Sequence, residues 1–81
     1  MYMSKPGDYL LNALRQYSIG KIEMHRGNIE TYRNNPTGIG EHSDLVQTLE
    51  KEMVELTKYD DILTALEKYF SDDTKKLTLN E

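Results

Sequence analysis

Asn34-Asn35-Pro36-Thr37-Gly38-Ile39-Gly40-Glu41-His42-Ser43-Asp44 is the stretch whose reading decides the fold. Helix-ending and helix-starting residues crowd together here. Asn34 or Asn35 can take the left-handed conformation that closes a helix. Pro36 disfavours helix at the residue before it and has no N–H to donate. Gly38 and Gly40 permit positive φ. His42 or Ser43 can cap a new helix, with Asp44 as a favourable acid in its first turn. Ile39 is unusual for an exposed loop and is expected to fold back on Leu45 or Val46 as an apolar plug. Asn35, Pro36, Gly38, Ile39, Gly40 and His42 thus read as a structural loop joining two helices.

Working back from the loop, the spacing predicts a first helix over about residues 5–33. Ser4 can cap it, Pro6 and Gly7 are tolerated in its first turn, and Asp8 suits the positive end of the dipole. Leu10, Leu11, Leu14 and Tyr17 share one face, and Ile22, His25, Ile29 and Tyr32 continue a 3-4-3 stripe. Gly20 and Gly27 each cost about 1 kcal/mol against alanine in a helix interior. They leave open a rival β-hairpin in which residues 21–25 alternate and Arg26-Gly27-Asn28 turns. The stripe stays in phase across Gly27, which favours helix; a glycine also suits a close approach by another helix.

Working forward, a second helix is expected over about residues 43–70. Leu49, Leu56, Leu63 and Phe70 recur at intervals of seven, with Leu45 or Val46, Met53, Tyr59 and Leu66 between them. Such a seam belongs to a helix packed lengthwise on another. Residues 71–81 read as a polar tail. Ser71-Asp72-Asp73 could cap one further turn, and the alternation around Leu77 and Leu79 favours an extended end.

The bulk numbers narrow the class. Eighty-one residues make a single domain, 1–81. Without cysteine there is no disulfide or thiolate metal site, and a domain this small is marginal unless something else stabilises it. A net charge of −4 with scattered lysines and arginines argues against a nucleic-acid binder. No apolar run approaches the roughly 18 residues of a membrane span, and Met1-Tyr2-Met3-Ser4-Lys5 lacks the apolar core of a secretory signal. A cytoplasmic location is expected.

A connection of about nine residues makes the helices antiparallel neighbours. Facing residue numbers should then sum to about 77. His25 meets Glu52 or Met53, the Tyr17–Ser18 layer meets Tyr59–Asp60, and Leu11 meets Leu66. Matched polar layers set register at some cost in stability. At the open end the apolar band is too wide for one partner helix. Leu10, Leu14, Tyr17, Tyr59, Ile62, Leu66, Tyr69 and Phe70 are therefore expected to form an interface. The fold expected is an all-α, coiled-coil-like antiparallel two-helix hairpin that dimerises into a four-helix bundle. The competing arrangement is a monomer whose terminal residues Tyr2, Met3, Leu77 and Leu79 fold over the patch.

Candidate chemistry is thin. A di-metal bundle wants Glu-x-x-His, and no glutamate lies three residues before His25 or His42. Gly38-Ile39-Gly40 before a helix resembles a phosphate loop, but no strand precedes it, no Gly-Lys-Ser/Thr follows and the helix opens acidic. No catalytic, cofactor-binding or metal-binding residue is assigned, and no cofactor is expected. Six tyrosines suit half-buried helix interfaces better than a ligand cage.

The loop with its Asn-Pro-x-Gly-Ile-Gly-Glu-His pattern, followed by a helix closing on Lys68-Tyr69-Phe70, resembles small helical proteins of T4-like marine phages and ocean metagenomes. The likeness covers roughly residues 21–70. It implies a helical hairpin of phage origin, hence the host cytoplasm, and carries no activity or catalytic residue. The function expected is a non-enzymatic, self-associating interaction or assembly module. The alternatives are an adaptor that binds a host or phage protein through the open end and, more remotely, a small-ligand or metal-binding bundle.

Overall fold

The computed structural model describes residues 5–38 and 44–78, with side chains described over 5–37 and 44–71. It is an all-α helical hairpin. Helix α1 spans Asp8–Asn34 and helix α2 spans Leu45–Thr78, with a short 3-10 turn at Pro36–Gly38. The molecule is a rod of 55 × 19 × 18 Å.

The start of α1 differs from the expectation. Pro6 and Gly7 form a turn outside the helix, which begins at Asp8 rather than near residue 5. Two reciprocal bonds close that turn: the Asp8 N–H donates to the Lys5 carbonyl at 3.0 Å, and the Lys5 N–H donates to Asp8 Oδ2 at 2.9 Å. Asp8 is buried by this arrangement. Ser4, the expected cap, lies outside the described residues.

The end of α1 also differs. Asn34 is still helical, and Asn35 has φ −147° and ψ 65°, which is not left-handed. Its N–H donates to the Thr31 carbonyl at 3.0 Å. The pyrrolidine of Pro36 crowds the preceding residue toward extended backbone, so proline rather than a left-handed cap ends the helix. Beyond the loop, the Asp44 carbonyl accepts the Thr48 N–H at 2.9 Å, so Asp44 stands at the capping position and α2 starts at Leu45. Ile39, Gly40 and His42, with the expected plug, lie outside the described residues.

Neither Gly20 nor Gly27 interrupts α1, and no strand occurs among the described residues. A methyl group added at either glycine would meet nothing within 4 Å, so neither marks a close approach of helices.

The tail is helical rather than extended. Phe70 departs from helical geometry (φ −136°, ψ 22°), and the helix then resumes as far as Thr78. By the pairing sum, Phe70 stands opposite Gly7, just before α1 begins. Ser71-Asp72-Asp73, good helix starters, follow the break.

The seam follows the sum of 77, seen in the His25–Glu52 contact at 2.7 Å and the neighbouring Tyr17–Tyr59 ring contact. In α1 the seam runs through Leu11, Arg15, Ser18, Ile22, His25, Ile29 and Tyr32, all half-buried or buried. In α2 it runs through Leu45, Leu49, Glu52, Leu56, Tyr59, Leu63 and Leu66, likewise covered. Glu52 takes the place expected for Met53, which is exposed, as is Val46. Leu10, Leu14 and Tyr17, the residues expected at an interface, lie one residue round the helix from this seam, because residue 11 and not residue 10 is in register with His25.

Candidate functional site: the apolar face at the open end

The core is small. Tyr59 and Leu66 are the only hydrophobic side chains among the described residues that are buried, at 7% and 5% exposure. The seam of α1 instead buries polar side chains: Asp8, Ser18 and His25. Ser18 is fully covered opposite Tyr59, where a small side chain leaves room for the ring. Its Oγ, with His25 Nε2 and Asn12 Oδ1, has no hydrogen-bond partner.

One polar layer ties the helices together. His25 Nδ1 lies 2.7 Å from Glu52 Oε1, and Asn28 Nδ2 donates to the same oxygen at 3.1 Å. A carboxylate can only accept, so His25 carries its proton on Nδ1. These two hydrogen bonds hold the Glu52 carboxyl below the ordinary carboxylate range, the His25 bond most strongly. Both hydrogen bonds cross from α1 to α2. Among the described residues no group of three or more His, Cys, Asp or Glu comes together to hold a metal.

Outside the seam, apolar residues gather on one face. The Tyr17 and Tyr59 rings meet edge to face, with centroids 5.7 Å apart. The Lys21 ammonium lies 5.9 Å from the Tyr17 ring and 5.7 Å from the Tyr59 ring, while Lys58 lies 5.1 Å from Tyr59. The Tyr59 phenol beside it pushes the Tyr17 hydroxyl above its ordinary pKa. Both lysines cap the same ring, so the stripes they belong to share a face. In α1 that stripe is Leu10, Leu14, Tyr17 and Lys21; in α2 it is Lys58, Ile62, Ala65 and Tyr69. Leu10 is 58% exposed, Tyr17 56% and Tyr69 66%. The opposite face carries a shallow groove of about 460 Å³ lined by Arg15, Ile19, Leu63, Thr64, Glu67 and Lys68.

The residues expected at the interface therefore divide. Leu10, Leu14, Tyr17, Tyr69 and Phe70 are exposed, and Ile62 is half-buried beside them. Tyr59 and Leu66 are used up inside the hairpin and are not available to a partner. Lys21 and Lys58 bound this face toward the loop; sequence reading did not single them out as its edge. The signal was present, since Lys21 follows Tyr17 by four residues and Lys58 precedes Ile62 by four. No family model matches the chain, nor does any curated protein or solved structure.

Proposed function

We propose that the protein is a non-enzymatic assembly module that associates with itself through the apolar face at the open end of the hairpin. One observation carries this reading: α1 has a second apolar stripe beside the one in the seam. Leu11, Ile22, Ile29 and Tyr32 lie in the seam with the buried Ser18 and His25, while Leu10, Leu14 and Tyr17 stay exposed next to it, Tyr17 with its ring edge to face with Tyr59. A helix normally buries its apolar stripe, so the outer stripe calls for a further partner. No helix among the described residues is long and apolar enough to cross a membrane. The resemblance of the loop to marine phage proteins fits an assembly role in a host cytoplasm.

Sedimentation tests the reading. The wild-type chain is expected to run as a dimer at tens of micromolar, and Leu14→Glu or Tyr69→Glu as a folded monomer. These positions are chosen because they are exposed in the hairpin, whereas Leu63 lies in its seam. A wild-type chain that stays a folded monomer at high concentration would rule the reading out. Recovery of a different protein only when Tyr69 is intact would favour an adaptor instead.

A further inference from the structure

The arrangement of charge around this face bears on how two copies would meet, given the self-association proposed above. Lys21 and Lys58 stand at the same height on the rod, at the loop-side edge of the apolar face, with their ammonium groups held over the Tyr17 and Tyr59 rings. Two hairpins packed face to face have two symmetric choices. With the loops at the same end, α1 of each copy lies over α2 of the other, and four lysines of the two copies converge at one level. With the loops at opposite ends, α1 lies antiparallel over its counterpart. Each lysine pair then moves to the far end of the partner's apolar face, away from the other pair.

We infer that a second copy of this chain covers the face in the second way, as an antiparallel four-helix bundle whose twofold axis passes near Leu14 and Ile62. Leu10, Leu14, Tyr17, Ala65, Tyr69 and Phe70 expose on the order of 500 Å² of apolar surface, judged from their exposure and typical side-chain areas. That is about the apolar share of a standard interface, which buries roughly 800 Å² on each partner. Convergence of four ammonium groups beside apolar surface costs repulsion and desolvation, offset in part by the Glu55 carboxylate 3.9 Å from Lys58, and the antiparallel arrangement keeps the two lysine pairs apart.

The chain has no cysteine, so one introduced thiol gives a clean probe. Glu30 is on the loop half of α1, and its pair with Arg33 is exposed and dispensable. Glu30→Cys carrying a nitroxide label is measured by pulsed electron spin resonance. Sixteen residues separate it from Leu14, so the antiparallel bundle places the two labels on the order of 50 Å apart at 1.5 Å per residue. The same-end bundle places them on the order of 30 Å apart, since both labels stand on the outer surface, about two interhelical spacings plus the reach of the two side chains. A long distance in a particle that sediments as a dimer supports the inference. A short distance in a dimer overturns the orientation and leaves self-association standing; a labelled protein that sediments as a monomer overturns both. Lys21→Glu with Lys58→Glu adds a second arm. In the same-end bundle it would remove the lysine clash and bring the carboxylates together instead. In the antiparallel bundle dimerisation is expected to persist, with the label distance unchanged.

Discussion

Glu52 is the residue on which the two helices agree. Its carboxylate takes hydrogen bonds from His25 and Asn28 at one oxygen, and both donors favour the ionised form. The folded carboxyl therefore sits below the ordinary glutamate value of 4.5. A group depressed in the folded state contributes stability that is complete above its unfolded pKa and is lost as pH falls through the folded one. Urea unfolding at pH 7 and at pH 3.5 should show the wild type losing stability on acidification, with Glu52→Gln losing less. Equal losses in the two proteins would remove Glu52 from the account. Glu52→Ala, which strands a buried imidazole, is expected to cost about 2 kcal/mol at pH 7. The His25–Glu52 layer was legible in the sequence because loop length alone set the sum of 77. Asn28 was not, since a residue beside the seam reaches across only when its rotamer allows it.

At the scale of elements, both helices were legible and their ends were not. Periodicity identifies a helix from many residues at once, whereas an end is decided by one or two local bonds. The reciprocal Lys5–Asp8 turn, the proline-driven stop at Asn35 and the break at Phe70 are all of that kind. Spacing alone left the inner stripe of α1 open, since Leu10, Leu11, Leu14 and Tyr17 read as one face. Leu10, Leu14 and Tyr17 follow the same 3-4 spacing as Leu11, Arg15 and Ser18, and apolar content favours the first set. The register of α2, pinned by Tyr59 and Leu66, selects the second. The glycines give a direct test of α1. Gly20 and Gly27 sit in regular helix with open space where a methyl would go. Gly20→Ala and Gly27→Ala should each raise stability by about 0.5–1 kcal/mol, seen as a higher urea midpoint. A loss at either site would mean that its backbone or surroundings differ from those described. Leu66→Ala, by contrast, empties one of two buried apolar positions and is expected to cost about 2–5 kcal/mol.

The whole molecule sets the question that neither scale answers, which is what makes so thin a rod stable. A single seam buries little apolar surface, and here part of that seam is polar. Folds that bury so little commonly lean on a disulfide, a metal or a partner, as single cores below about 70–80 residues do. The first is impossible without cysteine, and no cluster for the second occurs among the described residues. If a second copy supplies the missing burial, folding and association are one equilibrium, and stability depends on protein concentration by mass action. Thermal melts followed by circular dichroism should then shift upward by about 4 °C for each tenfold rise in concentration. Leu14→Glu, which cannot cover its outer stripe, should melt lower and at a temperature that no longer depends on concentration. A wild-type melting temperature that is constant from 1 to about 100 micromolar, across the affinity range of ordinary protein pairs, would show that the hairpin stands alone. In that case the outward apolar face would contribute to binding but not to the stability of the fold.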